Sequence, residues 1–357
     1  MSQTLHYRDF EKLKRLRTVF DRNYRMTHLL ANYLNLAPTL VTREMVDELT
    51  AGDALTREEA IGAILRTTLL PDEDTDAEQR ILARDYLLPS IRLLDASRYE
   101  RDPYYRAMTL EDAELGRFSL KNESYAPYRA VVSAEVEVME DGRELVPIGY
   151  FPDGFRFLSI MEDGNEWMTL TPIDLDTCKE AIEAAHGRVV TFGLGLGYYV
   201  FMVAKKEEVD EIVAVEKSPE VIALFREHIL PRIPNAHKVR VVEADAFRYA
   251  EEQMPREHFD VAFADTWRDV SDGLPMYLRM KKAEKLNPDT RFLYWIEDFI
   301  LSHLRSLVFE EIWEHESADS THRSEDATGT FDEILKRLSK DGLREEALVR
   351  TKDMFLS

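Results

Sequence analysis

The stretch that most constrains this chain is Arg188-Val-Val-Thr-Phe-Gly193-Leu-Gly195-Leu-Gly197-Tyr-Tyr-Val-Phe-Met-Val-Ala204. It opens with β-branched and apolar residues, places glycines at three alternate positions, and stays apolar until Lys205, Lys206, Glu207 and Glu208. That order reads as a buried strand, a tight turn and the start of a helix. Glycine belongs in such a turn because the backbone must enter φ values closed to a β-carbon and leave room for a ligand. The helix that follows presents unpaired N–H groups and a partial positive charge. A glycine-softened buried strand is the plainer reading of the same residues. A membrane span is disfavoured, since the apolar run is short, rich in glycine and bounded by mixed charge.

Charge narrows the partners. With 46 basic and 68 acidic residues the formal charge is −22, which argues against nonspecific binding to nucleic-acid phosphate. Small molecules, neutral proteins and cations remain. Cys178 is the single cysteine, so neither an intramolecular disulfide nor a thiolate zinc cluster can form. The first residues run quickly into Arg8, Asp9, Glu11 and Lys12 without an apolar signal core, and a reducing, cytoplasmic setting is expected.

The 357 residues have room for two or three domains. From Leu5 to about Leu94 apolar residues recur at helical spacing, through Phe10, Leu13, Leu16, Phe20 and Tyr24. Thr56 with Glu59, and Thr75 with Glu78, have the spacing of reciprocal helix caps. The spacing therefore predicts a helical N-terminal region over 1–103, with packing or homodimer formation as its role. From Ala130 the period becomes two, through Val132, Ala134, Val136 and Val138, and Asp141-Gly142 and Asp163-Gly164 mark hairpin turns. A small antiparallel β unit over 104–175 follows from this. Thr177 with Glu180 again has cap spacing ahead of the glycine stretch.

Strand and helix signals then alternate. Strands are expected at Glu211–Glu216, Lys238–Glu243, Phe259–Ala264 and Arg291–Ile296, with Ser218-Pro219 opening a helix after the first of these. Such alternation implies an α/β domain over 176–312, a parallel sheet covered by helices on both faces. The residues 313–357 read as a polar loop followed by charged amphipathic helices.

In an open α/β sheet, ligands bind beyond the carboxyl ends of the strands. Those ends carry the glycine turn, Glu216, Asp245 beside Ala246, and Asp265-Thr266-Trp267. Glu216 stands about 20 residues beyond the turn, where an acid can take both ribose hydroxyls. Asp245 could accept from an adenine amino group, and Asp265 stands over the expected reaction centre. Plainer roles are open to each: a surface strand end for Glu216, a helix cap for Asp245, a turn for Asp265. Together, at successive strand ends, they favour a nucleotide-like ligand. The dinucleotide fingerprint would place its last glycine at Tyr198, which counts against a pyrophosphate cradle.

Val-Val-Thr-Phe-Gly-Leu-Gly-Leu-Gly197, Val-Ala-Val-Glu216, Glu-Ala-Asp245-Ala and Phe-Asp-Val-Ala-Phe-Ala-Asp265 resemble the successive motifs of class I S-adenosylmethionine (SAM)-dependent methyltransferases. The hairpins ahead of them and the strand-end Asp265 resemble most the spermidine synthase branch. The resemblance covers about Arg188 to Ile296, the β unit weakly and the N-terminal region not at all. It implies a Rossmann-like seven-stranded sheet and SAM held by Gly193, Gly195, Gly197, Tyr198, Glu216, Asp245 and Ala246. It makes Asp265 the residue that orients or deprotonates a small-molecule acceptor, with Trp267 as an aromatic wall or simply a packed loop aromatic.

Three departures bear on the reaction. Thr191 stands where many methyltransferases have an acid, and Leu196 where spermidine synthases hold the donor amine with one. Arg268 replaces their second catalytic-loop acid. Methyl transfer is therefore the leading expectation, aminopropyl transfer the second, and a SAM-binding or structural protein without catalysis the third. His315 and His322 lack metal-ligand spacing, and no metal is expected.

Overall fold

The computed structural model describes residues 10–319. The helices expected over 331–355 lie outside the described residues. Residues 10–107 carry the helices α1 (Phe10–Leu36), α2 (Arg43–Thr50), α3 (Arg57–Leu69), α4 (Ala77–Leu82), α5 (Leu88–Ser90), α6 (Ala96–Glu100) and α7 (Pro103–Ala107), and a strand β1 (Ile91–Leu93). The Thr56–Glu59 reciprocal cap is present at the start of α3, with Thr56 N–H donating to Glu59 at 2.8 Å. At α4 the cap is Asp76 rather than Thr75, its carboxylate accepting from Glu78 N–H at 2.8 Å.

β1 corrects the purely helical expectation. It pairs in parallel with β7 (Ile148–Tyr150), whose other edge carries the antiparallel β4 (Ala130–Val132). Leu30, Ile61, Leu65 and Tyr86 pack with Ile148 and Tyr150 in one core. The chain between β4 and β7 forms the short pair β5 (Glu137–Val138) and β6 (Glu144–Leu145) around the Asp141-Gly142 turn. The single alternating strand expected from Val132 to Val138 is broken. Glu135 turns inward there and accepts from the N–H of Phe299 at 3.3 Å.

A second antiparallel sheet is ordered β2 (Ala113–Leu115), β3 (Phe118–Tyr125), β8 (Phe155–Glu162), β9 (Asn165–Thr169). The hairpin between β8 and β9 turns at Asp163 and Gly164, with φ of 51° and 79°, the left-handed pair a two-residue turn requires. Helices α8 (Pro172–Thr177) and α9 (Lys179–Ala184) follow. Thr177 does not cap: its hydroxyl donates to Ile173 O, and the polar pair at the start of α8 is Thr171 with Asp174.

The α/β part has five parallel strands among the described residues: β10 (Gly187–Phe192), β11 (Val209–Glu216), β12 (Val239–Glu243), β13 (Val261–Ala264) and β14 (Arg291–Tyr294). Their spatial order is β12-β11-β10-β13-β14, so the chain runs outward one way from β10 and then returns to its other side. Seven strands are expected from the sequence, and the sheet has five among the described residues. The linking helices are α10 (Tyr198–Ala204), α11 (Pro219–Leu224), α12 (Ala246–Arg248) and α13 (Val270–Lys285), with α14 (Glu297–Asp319) after β14. Ser218 caps α11 as expected, accepting from Val221 N–H at 3.3 Å. α14 continues to Asp319, past residue 313, from which the sequence predicts a polar loop.

Val190, Phe192 and Val213 enter the core on one face of the sheet, and Val189, Ile212 and Ala214 the core on the other. Burial on both faces explains why these strands read as continuous apolar runs rather than alternating ones. α1 closes against α14 through the stacked rings of Phe20 and Phe309, 4.3 Å apart. Glu144 accepts from the buried Arg305 at 2.6 Å, joining the β5–β6 pair to the same helix.

Candidate functional site

The strand order reverses between β10 and β13, and the crevice at that reversal is where an open α/β sheet binds ligands. The chain leaving β10 enters the glycine turn there, and the chain leaving β13 enters Asp265. Gly193, Gly195 and Gly197 have φ of 94°, 44° and 71°, so each position requires glycine. The approach is close as well: a β-carbon on Gly193 would lie 1.9 Å from the carbonyl oxygen of Asp265, and one on Gly195 would lie 2.1 Å from the sulfur of Met168. Met168 Sδ accepts the N–H of Leu196 at 3.3 Å, so the β8–β9 hairpin is seated on the turn.

Glu216 is buried at the end of β11. One carboxylate oxygen accepts from the N–H groups of Lys217 and Ser218, both at 2.8 Å, and the other from Leu194 N–H at 3.3 Å. It therefore pins the turn to the neighbouring strand end. The second oxygen keeps a lone pair for a further donor.

A cavity opens beside the turn, lined by Gly193, Leu194, Gly197 and Tyr198 on one side and by Asp265, Phe263 and Trp295 on another. Met168, Asp174 and Cys178 also line it. Asp265 accepts no hydrogen bond at its carboxyl from the described residues. Burial, then the charges of Asp174 and Glu216, push its carboxyl up to about 8. Asp174 is also raised, to about 6, chiefly by burial, although Thr171 donates to its Oδ2 through both N–H and hydroxyl at 2.8 Å. The Cys178 thiol is pushed up by burial and by both acids, so it is held neutral.

The structure brings together part of the expected set. Gly193, Gly197, Tyr198 and Asp265 line one cavity, and Glu216 touches the turn. Gly195 lies under Met168. Asp245 is exposed and caps α12, accepting from Arg248 N–H at 2.9 Å, and neither it nor Ala246 lines the cavity. Trp267 is a correction: it is buried, its Nε1 donates to Trp295 O at 3.2 Å, and its ring packs against Tyr277 and Tyr294 in the core. Trp295, one residue beyond β14, lines the cavity instead. The strand-end rule that selects Asp265 applies equally to Trp295.

Sequence reasoning misses Asp174. Its signal is the spacing Thr171-Pro-Ile-Asp174, a polar pair opening a helix. Residues from the N-terminal side are missed too. Asp102 accepts from Tyr198 OH at 3.2 Å, and the buried Tyr104 and the part-buried Tyr105 donate to the carbonyls of Leu196 and Leu170 at 2.5 and 2.8 Å. Glu297 accepts from Tyr277 OH at 2.7 Å. Among the described residues no cluster of three metal-ligating side chains occurs, and no helix is long and apolar enough to cross a membrane.

The sheet order and the cavity define an open, doubly wound α/β protein with a glycine turn at its switch point. No protein-family model matches the chain, and no curated protein matches it. Solved structures of the class I SAM-dependent methyltransferase fold are similar to part of it. Spermidine synthase from Thermotoga maritima is 15% identical with a TM-score of 0.29, over 42% of this chain and 59% of that one. A spermidine synthase in complex with the transition-state analogue AdoDATO is 18% identical with a TM-score of 0.29, over 42% and 58%. A putative O-methyltransferase from Klebsiella pneumoniae is 21% identical with a TM-score of 0.24, over 30% and 46%. The chain thus spans less than two thirds of each of these proteins, and the reading of the site rests on its own geometry.

Proposed function

We propose that this chain is a SAM-dependent transferase that moves a methyl group to a small-molecule acceptor. The observation that carries the reading is the meeting of Asp265 with the glycine turn: an acid without a hydrogen-bond partner, in a cavity, against backbone that only glycine can form. The residues fit an adenosyl donor. Glu216 has a free lone pair beside the turn for a ribose hydroxyl, and Leu194 and Gly197 offer a backbone surface without side chains in the way at Gly193. The donor would supply an electrophilic methyl on a sulfonium. Asp265 would orient the acceptor and take the proton that its nitrogen or oxygen releases as the new bond to carbon forms and the carbon–sulfur bond of the donor breaks, releasing the donor as a neutral thioether.

Asp174 favours keeping aminopropyl transfer as the second reading, since it returns to the cavity an acid that Arg268 does not provide. Titration calorimetry with SAM, decarboxylated SAM and methylthioadenosine separates the readings. Methyl transfer expects the tightest binding from SAM, and aminopropyl transfer from its decarboxylated form. Absence of heat with all three would sink the adenosyl assignment.

A further inference from the structure

The β8–β9 hairpin reaches the cavity through one side chain. Among the described residues β9 is the last strand of its sheet and pairs with β8 alone. Its register slips at Ile160 and Met161: Met168 faces Ile160 and Glu166 faces Met161, which leaves Trp167 as the extra residue of a bulge. Neighbours in a regular strand point to opposite faces, but here Trp167 and Met168 pack against the same core. Trp167 meets the ring of Phe118 edge-on at 5.5 Å, and Met168 is turned onto the glycine turn.

Met168 both fills space there and occupies a donor. Its Sδ and Cε would lie 2.1 and 2.6 Å from a β-carbon on Gly195, so the thioether rests directly on the backbone. The N–H groups of Gly193, Leu194 and Gly197 donate to oxygens of Val215, Glu216 and Leu194. That of Leu196 donates to the Met168 sulfur, a weaker acceptor than a ligand oxygen. With the side chain in this position the cavity measures about 20 Å³, enough for a water molecule and far short of a nucleoside.

We infer that Met168 is a gate: it closes the cavity over Gly195 and Leu196, and a ligand enters only when the edge of β9 carries the thioether aside. The movement is local, because β9 has a ladder on one side only and a bulge already interrupts it at Trp167. The contact given up is one weak hydrogen bond, which a ligand oxygen replaces at Leu196 N–H. A gate of this kind lowers apparent affinity by the fraction of time it stands open. The inference follows from the geometry of the cavity and rests on the transferase reading only for the choice of a nucleoside as one probe.

Cys178 gives a readout that needs no ligand. It is buried, lines the same cavity and is the single cysteine of the chain, so its labelling by N-ethylmaleimide at fixed pH times the opening of the site. Three variants of the full chain separate bulk from hydrogen bonding. Met168→Ala removes both, Met168→Leu keeps bulk without an acceptor, and Met168→Gln keeps length and offers a carbonyl oxygen that holds Leu196 N–H more firmly than sulfur. Labelling should be fastest in the Ala variant, at least about tenfold above native, then fall through Leu and native to Gln. Urea unfolding of each variant accounts for labelling through global opening, and should the Ala variant fail to fold, the opposite shifts of Leu and Gln still decide. In calorimetry the Ala variant should bind methylthioadenosine at least about tenfold tighter than the native chain. The gate is overturned if Ala labels within twofold of native, if Gln labels faster than native, or if methylthioadenosine binds native and Ala chains equally. Failure of methylthioadenosine to bind any of the four chains removes the adenosyl reading instead, and the labelling order then decides the gate by itself.

Discussion

The hydroxyl of Tyr104 donates to the carbonyl oxygen of Leu196 at 2.5 Å. A side chain on α7 thus fixes a backbone group inside the glycine turn, 92 residues further along the chain. The ring is buried and meets Tyr198 and Phe201 edge-on, each with centroids 5.4 Å away. Burial raises the phenol far above its ordinary value, so it remains a donor at every working pH.

Tyr104→Phe keeps the ring and removes only that bond. The variant should lose about 1 kcal/mol in urea unfolding, the typical net contribution of a buried hydrogen bond, and should bind the adenosyl donor more weakly because the turn is less fixed. An unchanged unfolding midpoint would show that the hydroxyl contributes nothing to holding the turn.

Asp265→Asn should change the pH dependence of stability. The carboxyl is raised in the folded chain from an ordinary 3.8 to about 8, so between those values the folded state holds a proton that the unfolded state releases. Stability from this group is therefore greatest in acid and falls as pH rises toward 8. Asparagine removes the dependence. At pH 8 the variant should exceed the native chain by about 1–3 kcal/mol, less than the roughly 6 kcal/mol that the full shift from 3.8 to about 8 corresponds to at about 1.4 kcal/mol per tenfold change in proton affinity, because the half-buried carboxyl is partly screened by solvent, and the advantage should shrink toward pH 4. Thermal melts across that range check it, and parallel curves for the two proteins would refute the sign.

Gly193→Ala and Gly52→Ala separate strain from collision. Both glycines have positive φ, but a β-carbon on Gly52 meets nothing within 4 Å, while one on Gly193 lies 1.9 Å from the Asp265 carbonyl oxygen. The first substitution should cost about 1 kcal/mol, the penalty of a left-handed residue alone. The second should cost more than about 3 kcal/mol or prevent folding, because the backbone of one strand end must move away from the other. Equal melting temperatures for the two variants would contradict the close approach.

Much of the α/β part is legible in the sequence because its physics is local. Runs such as Glu211–Glu216 and Phe259–Ala264 announce buried strands, and three glycines at alternate positions announce a turn that β-carbons cannot enter. What escapes is tertiary. Nothing in Ile91–Leu93 distinguishes three strand residues from the end of an apolar helix until β7 lies beside them. Asp174 has cap-like spacing with Thr171, but the neighbouring Thr177–Glu180 spacing competes for the same helix start. Trp267 and Trp295 both follow strand ends, and sequence does not say which ring turns to the cavity and which to the core. Asp265 is legible because it ends a strand directly. Its lack of a partner is not, since that depends on which side chains fail to reach it.

The parallel pairing of Ile91–Leu93 with Ile148–Tyr150 bears on how this chain can be handled as separate pieces. A cut at residue 103, where helical patterning gives way, would strip one edge from a three-stranded sheet and remove the tyrosine partner of Tyr150, whose hydroxyl lies 3.1 Å from that of Tyr33. The fragment left behind would carry a bare hydrogen-bonding edge of apolar residues, a template for association between copies. Modularity in the sequence is thus not modularity in the folded chain: the segments before and after residue 103 share one three-stranded sheet.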